Sequence, residues 1–503
     1  MPAEYFQFGG FRPQIDWFIS SNQQHIVNEK ALNAIAGPES LLRPKGNSNA
    51  PAEVVLGIKP HGSSHLLLTT DEMRLIEREQ GLYSRARNPR TLYPHEFESL
   101  SPIYFESVDA LKTKLSALKP KLNNRPNDTS QANRAFESGG KNPYRGAFEH
   151  GRVIFGVLNN TIQPHKYSLD DLPWTRGLRV CSFVFNTKGL DHRTTEQKLN
   201  NPIVLDVGFC EAQLPSFEPI YSTARHVVNH RNRTLTAGKE RPKKPFSHGS
   251  SEEVEDSEMP ARVQEFFKDY TRSTEQPMIL LVFDKDLTMK YLGKMGVYAE
   301  HWQAGLKNLL MPQSIRDRSN ATSSSSRPRS TSPRAFQSNR MNERYDDTYI
   351  SSFSRSVTGA RQYDPVFVLD VKQLFVKLME TDQIKDVVDV GYRFGLTDSD
   401  WYCAGDEAVL LIDIWKSMVS GLSIDEQRRK RAGSQASLPH TQMPGPSTAQ
   451  THLPSASSGS DDEQDPNDIV AQPQAAQRST SNSGPGDNWD ESDYDTNSSS
   501  DDD

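Results

Sequence analysis

Cysteine is nearly absent: Cys181, Cys210 and Cys403 are the only three in 503 residues, and no two stand in CxxC spacing. That excludes a disulfide framework and fits a reducing compartment, where isolated thiols serve as small core residues. Long apolar runs are missing as well. Stretches such as Met278–Phe283 fall far short of the ~20 residues that a membrane span needs, and Met1–Gly10 has no apolar signal core. Apolar residues make up 35% of the chain, against the usual ~45–50%, and mean hydropathy is -0.70. With so little to bury, the folded mass is less than the three or so domains that ~150 residues each would allow. The expectation is a soluble protein of the nucleus or cytoplasm with no membrane contact.

Charge is present but unevenly placed. The net charge is -7, yet Asp461–Asp503 alone carries 13 acids against one base, Arg478, so the residues before it carry +5. This reads as an acidic appendage on a mildly basic body. Composition and periodicity then divide the chain. Residues 1–52 read as loosely ordered, and 53–118 as a small module with a strand at Val54–Ile58 and helices at Thr70–Glu79 and Val108–Leu118. Residues 119–147 read as a polar linker, 312–362 as a disordered Ser/Arg-rich insertion, and 423–503 as a disordered acidic tail. The insertion holds nine Arg against four acids from Arg316 to Arg361. The cluster Arg428–Arg431 reads as solvated surface or a nuclear address.

Residues 148–311 and 363–422 read as one α/β domain. Short β-rich runs at Val153–Leu158, Leu178–Phe185, Pro202–Cys210 and Ala224–Val228 lead to a helix near Met259–Tyr270. A strand at Pro277–Phe283 and helical stretches at Leu287–Met295 and His301–Leu310 follow. The run Pro365–Leu369 resumes the strands and needs neighbours to pair with, so the insertion splits one domain. Helices at Lys372–Met379 and Gly405–Val419 complete it.

Asp206 interrupts the apolar run Val204–Phe209, which places a carboxylate in a run that otherwise reads as a buried strand, a costly position unless something pairs with it. Asp284, Asp286, Asp370, Asp406 and Glu407 add acids at strand ends and at a helix start. Phosphodiester hydrolysis with two metals needs several carboxylates converging on ions about 3.5–4 Å apart. Acids at strand ends also serve turns and caps, and spacing alone leaves both roles open. Trp401, Tyr402 and Cys403 read as core packing before the last helix.

The blocks NPIVLDVGFCEA from Asn201, RHVVNHRNR from Arg225, PFSHGSSEEV from Pro245, MILLVFDKDLTMKYLGKMGV from Met278, VFVLDVKQLF from Val366 and WYCAGDEAVLLIDIW from Trp401 follow one another in a telling order. Together they resemble the fungal Gfd-type C-terminal domain family, an exonuclease-like branch of the ribonuclease H-like superfamily. The resemblance covers about Pro202 to Val419, less the insertion. It implies a ribonuclease H-like mixed sheet flanked by helices, with the Asp206 strand first and central. In active relatives it implies four acids holding two Mg²⁺ or Mn²⁺ ions and a His as general base.

Carried over position by position, Asp206 matches the first acid. Gly208 stands where a Glu is expected, and Glu211 falls on the opposite strand face. Asp284 takes an Asn/Asp position, Thr288 stands at the next acid, Tyr402 at the base and Glu407 at the final acid. A Tyr with its ordinary pKa near 10 is a poor base at neutral pH. The remaining catalytic candidates are Asp206, Glu407 and Asp284, with Asp284 or Asp286 swinging in as a replacement ligand. The metal candidates are Asp206 and Glu407, holding Mg or Mn weakly.

Three functions are compatible with this reading. The first is a degenerate exonuclease-like domain that binds nucleic acid, RNA before DNA, or a partner protein, without efficient cleavage. Its phosphate contacts would be His226, His230, Arg231, Arg233, Lys243 and Lys244, with steep salt dependence. The second is a metal-dependent 3'–5' exonuclease on single-stranded RNA or DNA. The third is a non-catalytic scaffold acting through the insertion and the tail.

Overall fold

Aromatic residues near the start of the chain, Tyr5, Phe6 and Phe8, lie in a fully buried strand, β1 (Tyr5–Gly9). The computed structural model describes residues 3–311 and 366–436, apart from short stretches within them such as 16–24, 83–89, 120–127 and 269–275. The expected insertion and the chain beyond residue 436 lie outside the described residues. β1 pairs antiparallel with β3 (Ser64–Thr69), which pairs with β2 (Ala52–Ile58) and through it with β4 (Ser99–Phe105). Helices His25–Ala36, Thr70–Gln80 and Val108–Leu118 share a core with one face of this sheet, around Phe8, Leu56, Leu66 and Ile103. The Thr70–Gln80 helix starts on a capping box between Thr69 and Glu72 and stops at Gly81, which is left-handed.

Residues 1–52 are therefore not loosely ordered throughout, because β1 and the His25–Ala36 helix are built into this sheet and its cover. The 119–147 linker likewise gives way at Pro143 to a helix that runs to Leu158. That helix replaces the strand expected at Val153–Leu158. Its β-branched residues look strand-like in sequence, but it is buried on nearly all sides, so no polar face marks a helical period. It packs against the other face of the small sheet, where Tyr5, Val55, Leu67 and Leu100 join Phe148, Val153 and Ile154 in one core.

The larger sheet has eight strands: β5 (Arg179–Thr187), β6 (Val204–Gln213), β7 (Glu218–Pro219), β8 (Arg225–Asn229), β9 (Glu252–Val254), β10 (Met278–Val282), β11 (Gln303–Ala304) and β12 (Val366–Asp370). Their order is β11-β12-β10-β5-β6-β8-β9, with β7 beside β6. β5, β10, β12 and β11 run parallel, whereas β6 is antiparallel to both β5 and β8. This is a mixed α/β sheet flanked by helices. The centre of the sheet is β5, so the Asp206 strand expected there is its neighbour. β12, which follows the undescribed span, sits between β10 and β11, which precede it.

The helices Met259–Lys268 and Lys285–Lys294 cover one face of the sheet, over Phe183, Val207 and Leu280. The Ala404–Val419 helix covers the other, with Val184, Cys210 and Ile279 beneath it. Only Lys307–Leu310 is helical in the stretch expected to be a helix from His301, because Gln303–Ala304 is taken up as the edge strand β11.

After residue 422 the chain does not pass straight into a tail, since Ile424–Ala436 is a helix anchored by buried charge. Asp425 pairs with Lys114 and Arg145 at 3.1 and 2.9 Å, and Glu149 accepts from the Ile424 amide at 2.8 Å. Arg428, expected as solvated surface or part of a nuclear address, donates to the Leu378 carbonyl at 3.0 Å and pairs with Glu380.

Candidate functional site

Strand alternation turns Asp206 and Gly208 of β6 toward the face that carries the Ala404–Val419 helix, while Glu211 turns the other way and pairs with Arg179 at 2.6 Å. The helix begins directly over β6. A Cβ on Gly208 would stand 1.9 Å from the Ala404 carbonyl oxygen, so the main chain occupies the place of any side chain there. Asp206 is buried beneath the same turn. Its Oδ2 accepts from the Ala404 amide at 3.2 Å and lies 2.8 Å from His226 Nε2. His226, on β8, is fixed through Nδ1 by Ser251 Oγ at 2.8 Å, and Cys403 Sγ lies 3.8 Å from its Nε2.

Asp206, His226 and Cys403 form a group whose donor atoms lie within 4.8 Å of one another, an arrangement able to hold a metal ion. Glu407, the expected second metal residue, does not belong to it. Its Oε1 accepts from Asn186 Nδ2 and from the Cys403 amide, each at 3.2 Å. Burial, reinforced by the carboxylates of Asp206 and Asp386, pushes the Glu407 carboxyl up to about 8, so it keeps its proton at neutral pH. Burial likewise raises the Cys403 thiol to about 12.

Asp284 is not drawn in as a replacement ligand. It caps the Lys285–Lys294 helix by accepting from the Leu287 amide at 3.1 Å, and it faces Lys372 at 3.5 Å. Its strand, β10, is separated from β6 by β5, about 10 Å at ordinary strand spacing. Asp286 is 86% exposed, pairs with Lys285 at 3.7 Å and lies outside the group. Asp370 caps the next helix, accepting from the Gln373 and Lys285 amides at 3.0 Å each. Thr288 is buried in its helix, and burial followed by the Asp206 charge raises Tyr402, the position of the expected base.

The six expected phosphate contacts have different surroundings. His226 is enclosed and committed to Asp206 and Ser251. His230 and Arg233 share the Glu253 carboxylate, each at 3.2 Å. Lys244 pairs with Asp406 at 3.3 Å and lies 4.4 Å over the Trp401 ring. Arg231 and Lys243 are exposed. Sequence reasoning missed the aromatic part of this surface. Tyr221, 53% exposed, stacks on His248 with ring centres 4.6 Å apart, and His248 lies 3.8 Å from Asp406. Neither residue shows in a hydropathy pattern, because their meeting depends on the 3₁₀ turn at Tyr221–Thr223.

No helix among the described residues is long and apolar enough to cross a membrane. Comparison with protein-family models, curated proteins and solved structures finds no match for this chain.

Proposed function

We propose that this chain carries a non-cleaving domain of ribonuclease H-like architecture that binds single-stranded nucleic acid, RNA before DNA, in the nucleus or cytoplasm. The observation that carries the first part is the Ala404 carbonyl seated on Gly208. Hydrolysis with two metals needs carboxylates gathered on both ions, and here the main chain fills the place of the second one. The other acids support the same reading, since Glu407 is held by the Asn186 side chain and the Cys403 amide and Asp284 caps a helix two strands away. Moving the first acid to the central strand does not complete the set, because the β5 residue that meets Glu407 is the amide Asn186. Mg²⁺ and Mn²⁺ favour clustered oxygen ligands, and one carboxylate with an imidazole and a thiol does not fit them.

The second part rests on the strip formed by Tyr221, His248 and Lys244, with Lys243 exposed beside it. Aromatic faces and cations in succession suit unstacked bases and their phosphates. The test is to mix the full chain with end-labelled single-stranded RNA, with and without Mg²⁺ or Mn²⁺. Binding with intact RNA is expected, and Tyr221→Ala weakens it. Shortening that needs the metal and disappears in Asp206→Asn would establish the exonuclease reading instead. No binding by the wild type would leave the scaffold reading.

A further inference from the structure

We infer that Asp206, His226 and Cys403 form a zinc site that ties β6 and β8 to the start of the Ala404–Val419 helix. The inference goes beyond the proposed function, since the metal alone reads it and no nucleic acid is involved. Its basis is the donor set. One carboxylate oxygen, one imidazole nitrogen and one sulfur meet from three separate elements, all buried, within 4.8 Å of one another. A mixed O, N and S set suits Zn²⁺, which is borderline in softness, and does not suit Mg²⁺ or Ca²⁺. Tetrahedral zinc with bonds of about 2.0–2.3 Å spaces its ligands roughly 3.3–3.8 Å apart. The separation of 3.8 Å between Cys403 Sγ and His226 Nε2 fits that spacing, whereas Asp206 Oδ2 and His226 Nε2, at 2.8 Å, exchange their hydrogen bond for the ion and move apart.

Two further observations point to a ligand. Asp206 is 1% exposed, and its Oδ1 has no hydrogen-bond partner among the described residues. A carboxylate oxygen left in that state is costly, and a cation satisfies it. His226 is also held from behind, with Nδ1 on Ser251 Oγ at 2.8 Å. Metal-bound histidines are oriented in this way by a partner on the far nitrogen. With zinc bound, Nδ1 carries the ring proton and donates it to Ser251, leaving the Nε2 lone pair for the metal. Without zinc, Nε2 carries the proton and donates to Asp206. Three protein ligands leave the fourth tetrahedral position to a water, and because the three donors are buried and come from separate elements, binding the ion also stabilises the fold.

The full chain, stripped with a chelator under reducing conditions, is titrated with Zn²⁺ and separately with Co²⁺ as a spectroscopic probe. One zinc per chain and a raised thermal midpoint are expected, together with a thiolate-to-cobalt charge-transfer band. The band is lost in Cys403→Ala and kept in Cys181→Ala and Cys210→Ala. Ser251→Ala leaves all three donors in place and lowers zinc affinity by about 10–100-fold. This variant decides the matter if Cys403→Ala does not fold. Absence of stoichiometric zinc, a cobalt spectrum without the thiolate band, or unchanged affinity in Ser251→Ala overturns the inference.

Discussion

The carbonyl oxygen of Ala404 occupies the space that a Cβ on Gly208 would take, at 1.9 Å. Since the clash is with main chain at a helix start, it is relieved only by lifting the helix from β6. Gly208→Ala is expected to destabilise the protein by about 3 kcal/mol or more, at the upper end of overpacking costs. Urea denaturation reads this directly. Gly208→Glu, which supplies the absent acid, should gain no hydrolysis of RNA and should lose still more stability.

Asp425 answers two buried cations, Lys114 and Arg145. Burial alone would raise its carboxyl, but the charges of Arg145 and Lys114 outweigh it and hold Asp425 well below the ordinary carboxylate range. Asp425→Ala leaves both cations without that partner and should cost about 3–5 kcal/mol. Equilibrium unfolding of variant and wild type checks this, and a loss under 1 kcal/mol would contradict it.

Asp370 gives the opposite sign. Burial raises its carboxyl to about 6, partly offset by the Gln373 and Lys285 amides. Between about pH 4 and 6 the folded state therefore binds more protons than the unfolded state, so stability falls as pH rises through that window. A shift of about two units corresponds to at most about 3 kcal/mol. Asp370→Asn keeps an oxygen for the Gln373 amide and should flatten this part of the profile. Denaturation midpoints at pH 4, 5, 6 and 7 test the slope.

Cations and stacking rings on the proposed RNA surface separate by salt. Lys243→Ala should weaken binding and reduce the slope of log affinity against log salt by about one. Tyr221→Ala should cost about 1–3 kcal/mol with the slope unchanged. Fluorescence anisotropy at several ionic strengths distinguishes the two. A Tyr221→Ala variant that loses slope instead would place that ring outside the stacking surface.

Elements whose signals are local were legible in the sequence. Thr69, Glu72 and Gly81 bracket the Thr70–Gln80 helix with side-chain and backbone chemistry that needs no tertiary partner. The Val108–Leu118 helix likewise has the bounds that its leucine spacing suggests. The Pro143–Leu158 helix escaped because burial on nearly every side removed its polar face. The site was half legible. A carboxylate within an apolar strand drew attention to Asp206, and alternation placed Gly208 on its face. His226 was misread as a phosphate contact because sequence alone does not show that β8 pairs with β6 and sets Gly208 opposite His226. Cys403, read as packing, gained its chemical neighbours only when the helix start met the sheet.

The position of β12 between β10 and β11 also constrains how the protein is made. During synthesis, β10 and β11 leave the ribosome well before β12, whose first residue is Val366. At about 5–20 residues per second the intervening stretch takes several seconds. Throughout that delay one edge of β10 stays unpaired, and β11 has no strand to join. A nascent chain in this state offers its apolar edge to other chains. Termination just before Val366 would therefore yield a species prone to aggregate, not a shorter working domain, and chaperone cover on that edge is the natural counterpart of this order of strands.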